Sequence, residues 1–132
     1  MNNKFTIQRI IGYLAIFDKT EDGQYYVHFP DLEGCYTQGS TLEEAVCHAQ
    51  ESLAIYYREK KGEVLPASTL QSIQNANPDS VVQIVALDTE KYIVKSLRTI
   101  KKTLTIPEWL NQLAEKYNVN FSQILKNALV NH

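Results

Sequence analysis

The stretch from Lys101 to His132 constrains this chain most, because as a sequence it describes something that cannot fold alone. In Lys101-Lys102-Thr103-Leu104-Thr105-Ile106, strand side chains alternate sides, so Lys101, Thr103 and Thr105 share one face while Leu104 and Ile106 take the other. Pro107 lacks an amide donor and has a preset φ, so it closes the strand and suits the first position of a helix. Trp109/Leu110, Leu113/Ala114 and Tyr117 then recur at helical spacing. After Asn118-Val119-Asn120, the set Phe121, Ile124/Leu125 and Ala128/Leu129 does the same. One strand and two amphipathic helices cannot bury their own apolar faces, and a lone strand leaves its backbone groups unpaired. A second copy answers both needs. Two strands pair into an antiparallel ribbon, four helices close beneath it, and Leu104, Ile106, Trp109, Leu113, Phe121, Ile124 and Leu125 become a shared core. The other solution is a surface strand and a helical hairpin packed on the rest of the chain.

This pattern resembles the ribbon-helix-helix family of DNA-binding dimers, whose ribbon enters the major groove. The resemblance implies that Lys101, Thr103 and Thr105 face DNA, with Lys102 beside them also among the DNA-binding residues. Lysine can donate to guanine acceptors, and threonine offers a hydroxyl with a methyl group for thymine. Asn120 suits the N-cap of the second helix, and the free amides of Phe121 and Ser122 behind it would hold a phosphate.

The charge supports a division of labour. The 132 residues carry a formal net charge of -2, which alone says nothing about nucleic acid. From Met1 to Val94 there are 7 Lys+Arg against 13 Asp+Glu, and from Lys95 to His132 there are 6 against 2. An acidic body repels DNA and attracts a basic protein, whereas a positive end suits phosphate. Cys35 and Cys47 have neither close pairing nor metal-ligand spacing, and no signal peptide or membrane-length apolar run is present, so a cytoplasmic protein is expected.

Taken in order, Ile11 to Phe17 reads as a strand ending in the turn cluster Asp18 to Gly23, and Gln24 to Phe29 as its hairpin partner. Tyr25, Val27 and Phe29 share one face; Tyr26 and His28 share the other. Cys35 to Gly39 makes a third strand, after Pro30 to Gly34 breaks the pattern. Ser40-Thr41 with Glu43-Glu44 is a capping-box signature, opening a helix whose stripe is Leu42, Ala45/Val46, Ala49, Leu53 and Tyr56/Tyr57 and which Gly62 stops. Gln71 to Ser80 reads as a loop, and Val81 to Leu87 as a continuous apolar strand in the sheet's interior. Asp88 to Tyr92 starts like a short capped helix, and 89–100 is expected to link two domains, 1–88 and 101–132.

Phe29-Pro30-Asp31-Leu32, Gly34-Cys35, Thr37, Gly39, Thr41 and Glu44-Ala45, continued by Ala49, Leu53, Gly62 and Leu65-Pro66-Ala67-Ser68, resemble the N-terminal domain of HicB antitoxins. The resemblance implies an α+β protein: a partial ribonuclease-H-like βββαβ domain, followed here by a ribbon-helix-helix (βαα) dimerisation end. It further implies an antitoxin that covers a small basic mRNA-cleaving toxin, HicA, and represses the operon encoding both. The partners expected are that toxin, double-stranded operator DNA and a second copy of the chain, as a homodimer or higher oligomer, with no membrane and no cofactor.

A ribonuclease-H-like sheet invites a search for convergent carboxylates that could hold metal ions. Asp18, Asp31 and Glu33 are the candidates, but Asp18 and Asp31 fall in turns, where aspartate serves backbone hydrogen bonding. His28, His48 and His132 lack a nucleophile nearby, and Cys35 reads as a small buried hydrophobe. No catalytic or metal residue is expected. Asp18, Glu21, Asp22, Asp31 and Glu33 are instead assigned to basic toxin residues, where charge complementarity raises association rate and selectivity. Two other functions fit less of the sequence: a stand-alone ribbon-helix-helix repressor with a ligand-sensing domain, and a metal-dependent nuclease.

Overall fold

The computed structural model describes residues 10–98 and 106–116. The chain divides into two compact units, one spanning Ile11–Leu87 and the other taking in the chain from Asp88 onward.

The first unit is an antiparallel sheet covered by a helix. Strands β1 (Ile10–Lys19), β2 (Tyr25–His28) and β3 (Tyr36–Gly39) form a meander, with Phe17 opposite Val27 and Val27 opposite Thr37. Its first strand runs two residues further than the sequence pattern places it, to Lys19, so the turn begins at Thr20 and closes at Gly23 as expected. There Thr20 donates its amide to Gln24 O at 2.7 Å, and Gly23 takes a φ of 85° that other residues resist. Helix α1 (Leu42–Glu59) starts on Thr41, whose Oγ1 accepts from the Glu44 amide at 3.1 Å, while Glu44 Oε1 reaches back to the Ser40 amide at 3.0 Å. Ala45, Ala49, Leu53 and Tyr57, each four residues from the last, are its buried edge. The helix seats on β3 at Gly39, where a Cβ would come within 2.5 Å of the Ala45 nitrogen. Odd-numbered residues of β2 and β3 share the face that Gly39 turns to α1, and Val27 on that face is fully buried.

Two expectations for this unit fail. The polar run after Ser68 is not wholly a loop: Leu70–Ala76 is helix α2, with Thr69 Oγ1 accepting from the Ser72 amide at 3.2 Å and Asn77 Nδ2 donating to Ile73 O at 3.0 Å. The order is thus βββααβ rather than βββαβ. The last strand, β4 (Val81–Asp88), is not interior; the sheet order is β3-β2-β1-β4, so it is an edge. Ser80 meets Asp18 while Ile84 lies against Gly12, so β4 runs opposite to β1. Its shelter is uneven: Val85 is buried, whereas Ile84 on the other side is 61% exposed and Val81, at the strand's start, 55%.

In the second unit, the stretch expected to be a linker is helix α3 (Thr89–Arg98), whose first turn gives the Lys91 amide to Asp88 Oδ1 at 3.1 Å. Helix α4 (Glu108–Lys116) follows Pro107, whose carbonyl accepts from Leu110 and Asn111 at 3.0 Å each. Ile93 and Leu97 of α3 and Leu110 and Ala114 of α4 make one buried cluster, with Tyr92, Ile106, Trp109 and Leu113 packed against it and only partly buried.

Candidate partner-binding surface

The meander's register sets what the sheet shows on the side away from α1. Ile16, His28 and Tyr36 form one cross-strand row, and Asp18, Tyr26 and Gln38 the next. Tyr26 and Tyr36 are diagonal neighbours on that face, their rings 6.3 Å apart and tilted by 31°. Both stay in solvent, at 43% and 60% exposure. Exposed tyrosines in a pair are the kind of side chain that protein interfaces favour, a rigid apolar body with a polar tip.

The five carboxylates assigned to a partner behave differently from one another. Asp31 Oδ2 and Oδ1 accept from the Ser68 amide and hydroxyl, both at 2.6 Å, which ties the segment after α1 back to the loop after β2. Asp18 accepts from the Ser80 hydroxyl at 2.5 Å. Asp22 is held by the Thr20 hydroxyl, and that hydrogen bond keeps its carboxyl below the usual range. Glu21 and Glu33 are exposed. Three of the five thus carry a structural hydrogen bond. Among the described residues, no three His, Cys, Asp or Glu side chains converge on one point.

A cleft opens between α1 and the start of β3, with a volume of about 160 Å³. Cys35, Tyr36, Ile55, Tyr56 and Glu59 are among its walls. Cys35 is 5% exposed, and burial, with the Glu59 carboxylate second, pushes its thiol up to about 11. Ile55 is 46% exposed, and Lys60 Nζ stands 5.3 Å from the Tyr56 ring centre. Sequence pattern alone points to neither this cleft nor the tyrosine pair as a site. The alternation of Tyr26 against Val27 is the available clue to the pair; the cleft joins residues about 20 positions apart and leaves none.

Of the residues assigned to DNA and to the dimer core, Lys101, Lys102, Thr103, Leu104, Thr105, Asn120, Phe121, Ser122, Ile124 and Leu125 lie outside the described residues. Ile106, Trp109 and Leu113 are brought together beside the α3–α4 cluster. On α3, Lys91, Lys95 and Arg98 line a hollow of about 250 Å³ with Glu90 and Val94. Among the described residues, no helix is long and apolar enough to cross a membrane.

Known proteins share this arrangement. A solved chain from a toxin–antitoxin complex of Streptococcus pneumoniae is 32% identical, covers 92% of this chain and 98% of its own length, and superposes with a TM-score of 0.53. The Burkholderia pseudomallei antitoxin HicB, at 16% identity, matches 92% of this chain and 95% of its own with a TM-score of 0.53, a likeness of fold. A UPF0150 protein of Thermoplasma acidophilum is 38% identical over 63 residues, 46% of this chain and 91% of that protein. The family model for the HicB-like antitoxin of bacterial toxin–antitoxin systems matches residues 13–128. That match spans the sheet unit, α3 and α4, and the chain therefore belongs to the HicB-like antitoxin family.

Proposed function

We propose that this antitoxin neutralises a HicA-type mRNA-cleaving toxin by covering its RNA-binding surface, and that it represses its own operon as a dimer or higher assembly in the cytoplasm. The observation that carries the toxin half is charge. The unit Ile11–Leu87 holds 4 Lys+Arg against 11 Asp+Glu, a net of -7, and it presents exposed aromatic side chains. A small RNA-binding protein must be basic, so an acidic surface with apolar anchors can compete for the face that RNA uses. The solved Streptococcus pneumoniae relative, taken from a toxin–antitoxin complex, supports the same partner class. Covering needs no reaction by the antitoxin, and its family membership favours a regulator over an enzyme.

The operator half rests on the residues from Lys101 onward. Paired ribbons from two copies would carry Lys101, Lys102, Thr103 and Thr105 into the major groove, with Asn120, Phe121 and Ser122 clamping a phosphate. Partly buried Ile106, Trp109 and Leu113 leave apolar surface for a second copy. Asp18, Glu21, Asp22, Asp31 and Glu33 remain the proposed acidic contacts, with Glu21 and Glu33 the least committed to the fold.

Two measurements test the halves separately. Co-expression with a HicA-type toxin, followed by mass measurement, should give a stable complex that no longer cleaves RNA. A mobility shift on the upstream DNA should weaken in Lys101→Ala/Thr103→Ala, by about 1 to 3 kcal/mol for each base interaction removed. Unchanged affinity in that variant removes the ribbon assignment. RNA cleavage by the chain itself with added magnesium would favour the nuclease instead.

A further inference from the structure

We propose that the cleft between α1 and the start of β3 is the anchoring point for one lysine or arginine side chain of the basic toxin. This deepens the toxin-binding reading and rests on it.

The size, walls and charge of the cleft converge on that occupant. At about 160 Å³ it is below the roughly 300–1,000 Å³ of small-molecule sites, but it suits a single long side chain. Its walls are apolar where a methylene stem would lie: Ile55, on a helix whose core stripe is elsewhere, is 46% exposed, and Tyr36 is 60% exposed. Glu59 is the carboxylate among the lining residues. The Cys35 thiol behind it is neutral at physiological pH, so Glu59 supplies the charge that a cationic head would meet. Long basic side chains pack in this manner, stem on apolar surface and head on an acid. The Tyr56 ring already has a cation near it, the chain's own Lys60, so that ring is placed to attract positive charge. Finally, the net -7 of the unit draws a basic protein to it before the two surfaces touch.

Calorimetry of the full-length chain with the purified toxin tests the cleft. Glu59→Lys and Asp79→Lys change net charge equally, but only Glu59 lines the cleft. Glu59→Lys should weaken binding about tenfold or more beyond Asp79→Lys, the cost of facing a buried cation with a like charge. Ile55→Ser should weaken it about fivefold, and Lys60→Ala should leave it unchanged or tighter. Because Glu59 and Ile55 are exposed, helix content and melting temperature should match the parent, which separates a binding defect from a folding defect. A single toxin Lys→Glu or Arg→Glu change that restores binding to Glu59→Lys would identify the inserted residue. Equal effects of Glu59→Lys and Asp79→Lys overturn the cleft and leave toxin binding standing. No binding by the unaltered chain overturns both.

Discussion

Lys61 sits at a φ of 55° where α1 ends. Its amide donates to Arg58 O and that of Gly62 to Tyr57 O, both at 2.9 Å, the paired bonds of a Schellman stop. The left-handed C′ place thus belongs to a lysine, and glycine comes one residue later, also left-handed at 81°. Sequence pattern locates the stop but gives the role to Gly62, because glycine is the usual occupant. A left-handed non-glycine costs roughly 1–2 kcal/mol, and glycine's extra freedom in the unfolded chain takes back part of any relief. Lys61→Gly should therefore stabilise the fold by about 0.5–1 kcal/mol, read as a higher urea midpoint with an unchanged slope. Asp31 makes the opposite case. Losing its two hydrogen bonds from Ser68 should make Asp31→Ala about 1–3 kcal/mol less stable, read as a lower urea midpoint. Cys35 supplies a pH test. Its thiol keeps its proton more tightly folded than unfolded, so its contribution is complete below 9.0, the ordinary thiol value, and is lost as pH rises through about 11. At pH 8 a thiol reagent should find the exposed Cys47 in the native chain, and Cys35 as well only after unfolding.

Helix α3 shows where local pattern stops being informative. Its buried residues Ile93 and Leu97 are four apart, but they are buried by Leu110 and Ala114 of α4, beyond the intervening residues 99–105. Thus the expected 89–100 linker instead contributes half of a small core. Truncation of a residue so placed opens a void between both helices, so Leu97→Ala should cost about 2–5 kcal/mol, read as reduced helicity and a lower melting temperature for that unit. The meander and α1 are legible because their determinants are local: alternation in Tyr25–Phe29, the Thr20–Gly23 turn, the Thr41/Glu44 cap. Helix α2 is not, since its apolar residues are only Leu70, Ile73 and Ala76 and its ends are capped by Thr69 and Asn77. Strand β4 is recognisable as a strand, but its place in the sheet is not. A continuous apolar run signals burial on both faces, yet Val81 and Ile84 remain exposed, and sheet order is a tertiary property that no window of sequence contains.

The whole molecule carries charges of opposite sign in two parts: -7 over Ile11–Leu87, and +5 over the rest of the chain from 9 Lys+Arg against 4 Asp+Glu. On the proposed function the first meets a basic toxin and the second a polyanion. An acidic body opposes DNA approach through a long-range field that needs no direct touching of the units, and a basic toxin bound to that body cancels part of the field. Toxin and operator should therefore bind cooperatively, and linkage requires each to raise the other's affinity by the same factor. Because the coupling is electrostatic, salt must erase it: the Debye length is about 10 Å at 0.1 M and about 3 Å at 1 M. Operator titrations of the free antitoxin and of its toxin complex should differ by about fivefold near 0.1 M salt, the low end of typical couplings. The difference should narrow steadily as salt rises, while both affinities fall through counterion release. A toxin complex that binds operator no tighter than free antitoxin at 0.1 M salt would contradict this account. A difference that survives at high salt would place the coupling in packed side chains rather than in charge.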